Sequence, residues 1–165
     1  GPRTPSARAT AHPLWPVSDP GRAAEGLADA TWTIEGTDGA VAWLRRFLEA
    51  LGAEWVEFDG LNRELYHAAA VMASNLMVGT LEAAVELAEA VGMSRAQAHA
   101  ALWPLARSAL ENMRDDMSHD GLTGPVARGD ETTVERHLRA IDGTGDDDIG
   151  DVYRALTAMC RRLMD

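Results

Sequence analysis

Leu61-Asn62-Arg63-Glu64-Leu65-Tyr66-His67-Ala68-Ala69-Ala70-Val71-Met72-Ala73-Ser74-Asn75-Leu76-Met77-Val78-Gly79-Thr80-Leu81 opens a run that continues from Glu82 to Val91 without a proline. It follows Asp59-Gly60 and is crowded with alanine, leucine and methionine, so it is expected to form one helix of about thirty residues. At about 100° per residue, Arg63, His67, Ala70, Ser74 and Val78 share one sector, with Val71 beside them and Asn75 at its edge. Leu65, Met72, Leu76 and Ala83 fall on other sectors, and a helix apolar nearly all round is expected to be buried. The polar groups of its N-terminal half then need partners, in the protein or in something the protein binds.

Upstream of this run the pattern changes period. Thr31-Trp32-Thr33-Ile34-Glu35 alternates and reads as a strand ended by Gly36. Thr37 or Asp38 is placed to cap a helix carrying Val41, Leu44, Phe47, Leu48 and Leu51, closed by Gly52. Glu54-Trp55-Val56-Glu57-Phe58 alternates again. Strand, helix and strand in this order favour two parallel neighbours joined by a crossover. Two strands are too few for a stable sheet, so further pairing is expected from the N-terminal arm or from a second chain. Residues 1–21 hold five of the seven prolines and read as a loop or extended arm, with Leu14 and Trp15 as its anchors. A short helix is expected over Arg22–Ala30.

Downstream, Gly92 breaks the long helix, and Ser94 caps the next with Gln97 at the capping-box position. Pro104 is expected to kink or split that helix near Ala101. Asp130 caps a helix bearing Val134, His137, Leu138 and Ile141, and a last helix from about Ile149 or Asp151 carries Val152, Leu156, Met159 and Leu163. The expected fold is mostly α: a helical bundle around one long central helix, with a small N-terminal β-α-β unit. Its alanines and Gly79 are expected to let neighbouring helices approach closely. The divisions are an arm over 1–30, the β-α-β unit over 31–60 and a helical domain over 61–165, forming one structural unit.

Composition narrows the functions. A chain of 165 residues suits one domain. With fifteen basic residues against twenty-six acidic ones, its net charge of -11 opposes nucleic-acid and anionic-membrane binding. No uninterrupted apolar run approaches the roughly twenty residues of a membrane helix, so no span is expected. All the basic residues are arginine, which removes Schiff-base chemistry and any lysine acid or base. Cys160 is the single cysteine; it suits a reducing, cytoplasmic setting and reads as a buried inert thiol. The five histidines show no metal-ligand spacing, so no metal is expected.

Tyr66 and His67, with Arg63, Ser74 and Asn75 within a few turns, form the best chemical constellation. A histidine exchanges protons near neutral pH, a tyrosine donates to a developing oxyanion, and an asparagine both donates and accepts. Arg63 stays protonated and suits an anionic group rather than the role of base. The alternative is that His67 and Asn75 are satisfied polar groups that set helix register. Two other segments are weaker. Gly36-Thr37-Asp38-Gly39 lies between strand and helix but lacks the dinucleotide spacing, and Asp38 repels a pyrophosphate. The loop Leu122-Thr123-Gly124-Pro125-Val126-Ala127-Arg128-Gly129-Asp130 is either an anion site at Arg128 or a tight turn into a capped helix.

Arg63–Val71 with Ala73-Ser74-Asn75, then Leu110-Glu111-Asn112, Leu122–Asp130 and Val152-Tyr153-Arg154-Ala155-Leu156, resemble in order the helical C-terminal domain of a family of two-domain Rossmann-like proteins. That domain has no assigned function and is similar to the C-terminal domain of 6-phosphogluconate dehydrogenase. His12-Pro13-Leu14 resembles a segment late in the family's nucleotide-binding half, which implies that the chain starts near the end of that half. The resemblance further implies oxidoreductase-like relatives that dimerise through the helical domain, with Arg63, Tyr66, His67, Asn75 and Arg128 facing a substrate cleft.

The expected function is small-molecule binding with cofactor-independent acid-base chemistry of the isomerase, cyclase or lyase type. His67 and Tyr66 would be catalytic, and Arg63, Ser74, Asn75 and Arg128 would bind substrate. Trp15, Trp32 and Trp55 would cover the cleft. The alternatives are half of a split NAD(P)-dependent oxidoreductase with a separate Rossmann chain, or a non-catalytic dimerisation module. The expected partners are a small-molecule substrate and a second copy in a homodimer, with no cofactor, nucleic acid or membrane.

Overall fold

Three segments form a sheet in the order β1 (Ala9–Pro13), β2 (Trp32–Gly36) and β3 (Trp55–Glu57) in the computed structural model, which describes residues 7–16, 21, 26–115 and 121–164. Residues 22–25 of the helix expected over Arg22–Ala30 therefore lie outside the described residues, as does His119, one of the five histidines, and 27–29 form a turn. The fold is mostly helical with this small N-terminal sheet, and the chain divides into two compact units, residues 1–75 and 76–165.

In the first unit, β2 pairs parallel with β3 across helix α1 (Asp38–Leu51), as strand-helix-strand patterning predicts. The third strand comes from the N-terminal arm, which pairs antiparallel with β2 in the register His12 to Thr33 and Thr10 to Glu35. Alternation along β2 gives it two working faces. Ile34 is buried with Val41 and Leu48 of α1 and with Ala53, and Trp32 and Trp55 pack at the margin of that core. Thr33 is buried on the other side of the strand.

The αL glycine expected at the end of α1 is Gly52, which donates to the Glu49 and Leu48 carbonyls. Thr37 precedes α1 without capping it, because its hydroxyl is engaged with the Arg8 backbone of the arm. Gly36 is required where the strands meet: a Cβ there would fall 2.3 Å from the Arg8 carbonyl oxygen. Trp15 anchors the arm on Gly26, where a Cβ would lie 2.1 Å from the indole.

The long helical run is broken once. Helix α2 (Arg63–Ala73) is capped by Asn62, whose side chain accepts from the Leu65 N–H at 3.0 Å. Ser74 leaves helical geometry at φ -129 and ψ -81, and α3 (Asn75–Ala90) follows. At this break the Ser74 hydroxyl donates back to the Ala70 carbonyl at 2.7 Å.

The expected burial is corrected. No residue of α2 is buried, Val85 is the buried residue of α3, and Leu65 and Val78 are each 70% exposed. No other described element comes within 4 Å of the Cβ that Gly79 lacks, so the close approach expected there is not made among the described residues. By length and composition, the 28 residues from Arg63 to Ala90 would also suffice to cross a membrane, contrary to the sequence expectation. Ser74, Asn75 and Gly79 divide the segment into short apolar runs while leaving it apolar overall. The segment begins with residues bonded to the sheet and ends with Glu82, Glu86 and Glu89, and one such helix is weak grounds for a span.

In the second unit, Ser94 and Gln97 form the expected capping box before α4 (Arg95–Asp115), with the Ser94 N–H donating to Gln97 at 2.9 Å. That helix runs unbroken through Pro104 rather than splitting at Ala101. Asp130 caps α5 (Glu131–Asp142) and Asp146 caps α6 (Asp147–Arg161), which starts earlier than its apolar pattern suggests because the acidic turn itself supplies the cap. Arg154 with Asp142, and Arg161 with Glu131, tie α5 to α6 over buried Val134, Ile141 and Ile149.

Candidate active-site cleft

Cross-strand register and one helix turn build the site together. His12 and Thr33 are partners across β1 and β2, and so are Thr10 and Glu35 two residues along. Residues two apart on a strand share a face, so the four form two adjacent rungs. Helix α2 sets Arg63, Tyr66 and His67 at i, i+3 and i+4, on one of its faces. Tyr66 meets the first rung and Arg63 the second.

At the first rung, the Thr33 hydroxyl donates to the Tyr66 hydroxyl at 3.1 Å, and the Tyr66 oxygen lies 2.9 Å from His12 Nδ1. The His12 and Tyr66 rings meet edge to face, 5.7 Å apart. At the second, an Arg63 nitrogen donates to Glu35 at 2.7 Å and to the Thr10 hydroxyl at 3.2 Å. The Arg63 hydrogen bond holds the Glu35 carboxyl below its ordinary pKa, burial opposes this, and the Leu61 N–H assists it. These residues, with Ile34, Leu61 and His67, line a cleft of about 200 Å³.

Arg63, Tyr66 and His67 therefore come together in one cleft of the first unit. Ser74 and Asn75 bond to each other at 3.1 Å and do not line it. Arg128 is an exposed residue of the second unit, in a turn made by left-handed Gly124 and Gly129. That turn leads into Asp130, whose carboxylate is stabilised first by the Thr133 hydroxyl and then by its N–H. The three tryptophans do not cover the cleft: Trp32 and Trp55 pack on the core and Trp15 on Gly26.

Sequence reasoning missed Thr10, Thr33 and Glu35 as site residues, and noted His12 only as part of a motif. Their signal is the register of the arm against β2, which no local period reveals. Arg63 is also less available to an anion than expected, since Glu35 neutralises it. The described residues do not fit a dinucleotide at Gly36–Gly39. Thr37 is already engaged with Arg8, and the first turn of α1 carries acidic Asp38.

The second unit holds a pair of similar shape. His137 Nδ1 lies 2.8 Å from the Tyr153 hydroxyl, with the rings edge to face at 6.0 Å. Burial raises the Tyr153 pKa above its ordinary value.

Solved structures that share this fold include the following two. TM1727 of Thermotoga maritima aligns with a TM-score of 0.81 and 22% identity, over 95% of this chain and 61% of its own. BF3122 of Bacteroides fragilis, an NADP oxidoreductase by provisional assignment, aligns with a TM-score of 0.62 and 22% identity, over 81% of this chain and 49% of its own. The chain thus spans less than two thirds of either, and likeness at this identity speaks for the fold alone. No protein of curated function matches. Residues 30–160 match the model of a domain of unknown function, DUF2520. The chain belongs to the DUF2520 family.

Proposed function

We propose that this chain is the substrate-binding part of an oxidoreductase-like protein, and that its cleft holds a small molecule by a carbonyl or hydroxyl group next to Tyr66. The carrying observation is the Tyr66 hydroxyl, fixed between Thr33 and His12 where the cleft is lined by groups that both donate and accept. The Arg63–Glu35 pair favours a neutral, hydroxyl-bearing ligand over a carboxylate, because its charges already cancel. The reaction class is proposed by analogy with a provisionally assigned NADP oxidoreductase of the same fold. The nucleotide belongs to another part of the protein or to another chain, since the residues described here do not fit it.

A second reading, cofactor-independent acid-base catalysis, is favoured by the same set of proton-carrying side chains. In both readings a second copy of the chain is the proposed partner, covering exposed Leu65 and Met72 of α2.

The test is an NMR screen of small ketones, alcohols and sugars against the isotope-labelled chain. Ligands that shift the amides of Thr33, Arg63 and Tyr66, and lose about tenfold or more in affinity in Tyr66→Phe, would support a polar site built on that hydroxyl. Binding that ignores Tyr66→Phe, or shifts confined to the second unit, would overturn it. Adding NADPH and the nucleotide-binding part separates the readings: turnover that needs both selects the oxidoreductase, and turnover without either selects acid-base catalysis.

A further inference from the structure

We infer that His12 is the base of this cleft, acting on Tyr66, and that Thr33 is the positioning residue that directs the phenolic proton toward it. The inference deepens the reading of the cleft as a substrate site and rests on it. It gives the role expected of His67 to a residue 54 positions away from Tyr66 in sequence.

Thr33 has one hydroxyl proton and two acceptors in reach, the Tyr66 oxygen at 3.1 Å and the His12 carbonyl at 3.4 Å. The nearer takes it, and at 7% exposure Thr33 has little water to turn to. A phenol oxygen that accepts from Thr33 points its own proton elsewhere, and His12 Nδ1 lies 2.9 Å away. Nδ1 must then be the acceptor, which places the ring proton on Nε2. His12 itself is exposed, so Nε2 meets solvent. The remaining lone pair of the Tyr66 oxygen is left for a ligand.

When a ligand hydroxyl gives its proton to the Tyr66 oxygen, the phenolic proton passes to Nδ1 and the Nε2 proton leaves to water. The ligand is left as an alkoxide, Tyr66 is again a neutral phenol, and exchange with water restores the first tautomer of His12. The reverse sequence protonates an oxyanion. The other titratable groups lining the cleft are Glu35, Arg63 and His67. Glu35 and Arg63 form an ion pair whose charges cancel, and His67 makes no hydrogen bond to another described residue that would fix its ring.

The experiment needs no substrate. An aryl sulfonyl fluoride reacts with a phenol to give the aryl sulfonate ester, losing fluoride, while the phenolic proton goes to a base. In the intact chain His12 should speed the labelling of Tyr66 about tenfold. His12→Ala should remove that advantage while Tyr153, the other tyrosine, keeps its rate as the reference in the same sample; added imidazole should restore part of it, and Thr33→Val should lower it several-fold. The labelling rate should follow the His12 titration recorded by NMR on the same sample. His12→Ala labelled like the parent, or no rescue by imidazole, would overturn the inference. Should the variant fail to fold, the ¹⁵N spectrum of the parent decides: a proton on Nδ1 overturns the inference, and a proton on Nε2 supports it. The ligand screen fails on binding and this experiment on proton transfer, so the two failures are distinguishable.

Discussion

Each unit of this chain holds one histidine–tyrosine pair, and as isolated objects the two are almost interchangeable. Both place Nδ1 within 2.9 Å of a phenolic oxygen, with the rings nearly perpendicular. Their settings differ. His12–Tyr66 stands on a sheet with a closed core beneath it, receives a third hydroxyl from Thr33 and borders a cleft. His137–Tyr153 joins two helices also held by ion pairs at Arg154 and Arg161. A hydrogen bond of this kind is equally suited to fastening helices and to moving protons. What distinguishes the first pair is the platform that orients it and the space left beside it.

Removing the platform should separate the pairs most strongly. Leu48 is 0% exposed and packs with Ile34, the neighbour of Thr33 on β2. Leu48→Ala is expected to cost about 2–5 kcal/mol, from lost burial and the cavity left behind. Hydrogen exchange read by NMR should show protection falling throughout β2 and at His12, with the amides around His137 and Tyr153 unchanged. Equal loss in both units would mean that they unfold together, and the contrast between them would be one of surroundings alone. Leu65→Ala, at 70% exposure, should change stability by less than about 0.5 kcal/mol in the monomer.

How legible these features are in sequence depends on the range over which they are encoded. The strand-helix-strand unit is readable because Trp32–Glu35 and Glu54–Phe58 alternate and Gly52 closes α1, all local signals. The capping box at Ser94 and Gln97 is readable for the same reason. The strand of the arm is not: Ala9-Thr10-Ala11-His12-Pro13 has weak strand propensity and becomes a strand only by pairing with β2. Half of the cleft is hidden with it, since Thr10 and His12 enter through that register. The break at Ser74 is hidden too, because no proline or glycine marks it. The expected burial of the long helix fails for a further reason. An all-round apolar sequence does not specify which surface, of this chain or of another, would cover it.

The two tyrosines differ in a second, smaller way that pH exposes. Burial raises the Tyr153 pKa, so its neutral form is favoured in the folded chain. The associated stability is fully present below the ordinary tyrosine value of 10.0 and is lost as pH rises through the higher folded value. Thermal unfolding between about pH 9 and pH 11 should show this loss, and Tyr153→Phe should flatten it. An unchanged slope in Tyr153→Phe would mean that the second pair carries no such penalty.

The smallest effect belongs to the other rung of the cleft and has the opposite sign. Arg63 holds the Glu35 carboxyl below its ordinary value of 4.5, so the ionised form is favoured on folding. That stability is present above the ordinary value and is lost as pH falls through the lower folded one. The pair is open to solvent, so screening keeps its contribution small, and added salt should reduce it further. In an acid titration of the Thr10, Glu35 and Arg63 amides, the parent should show a transition that Glu35→Gln lacks, with His137 and Tyr153 unaffected by the substitution. If Glu35→Gln retains the transition, Arg63 is held by other groups, and the claim that Glu35 neutralises it for neutral ligands falls with it.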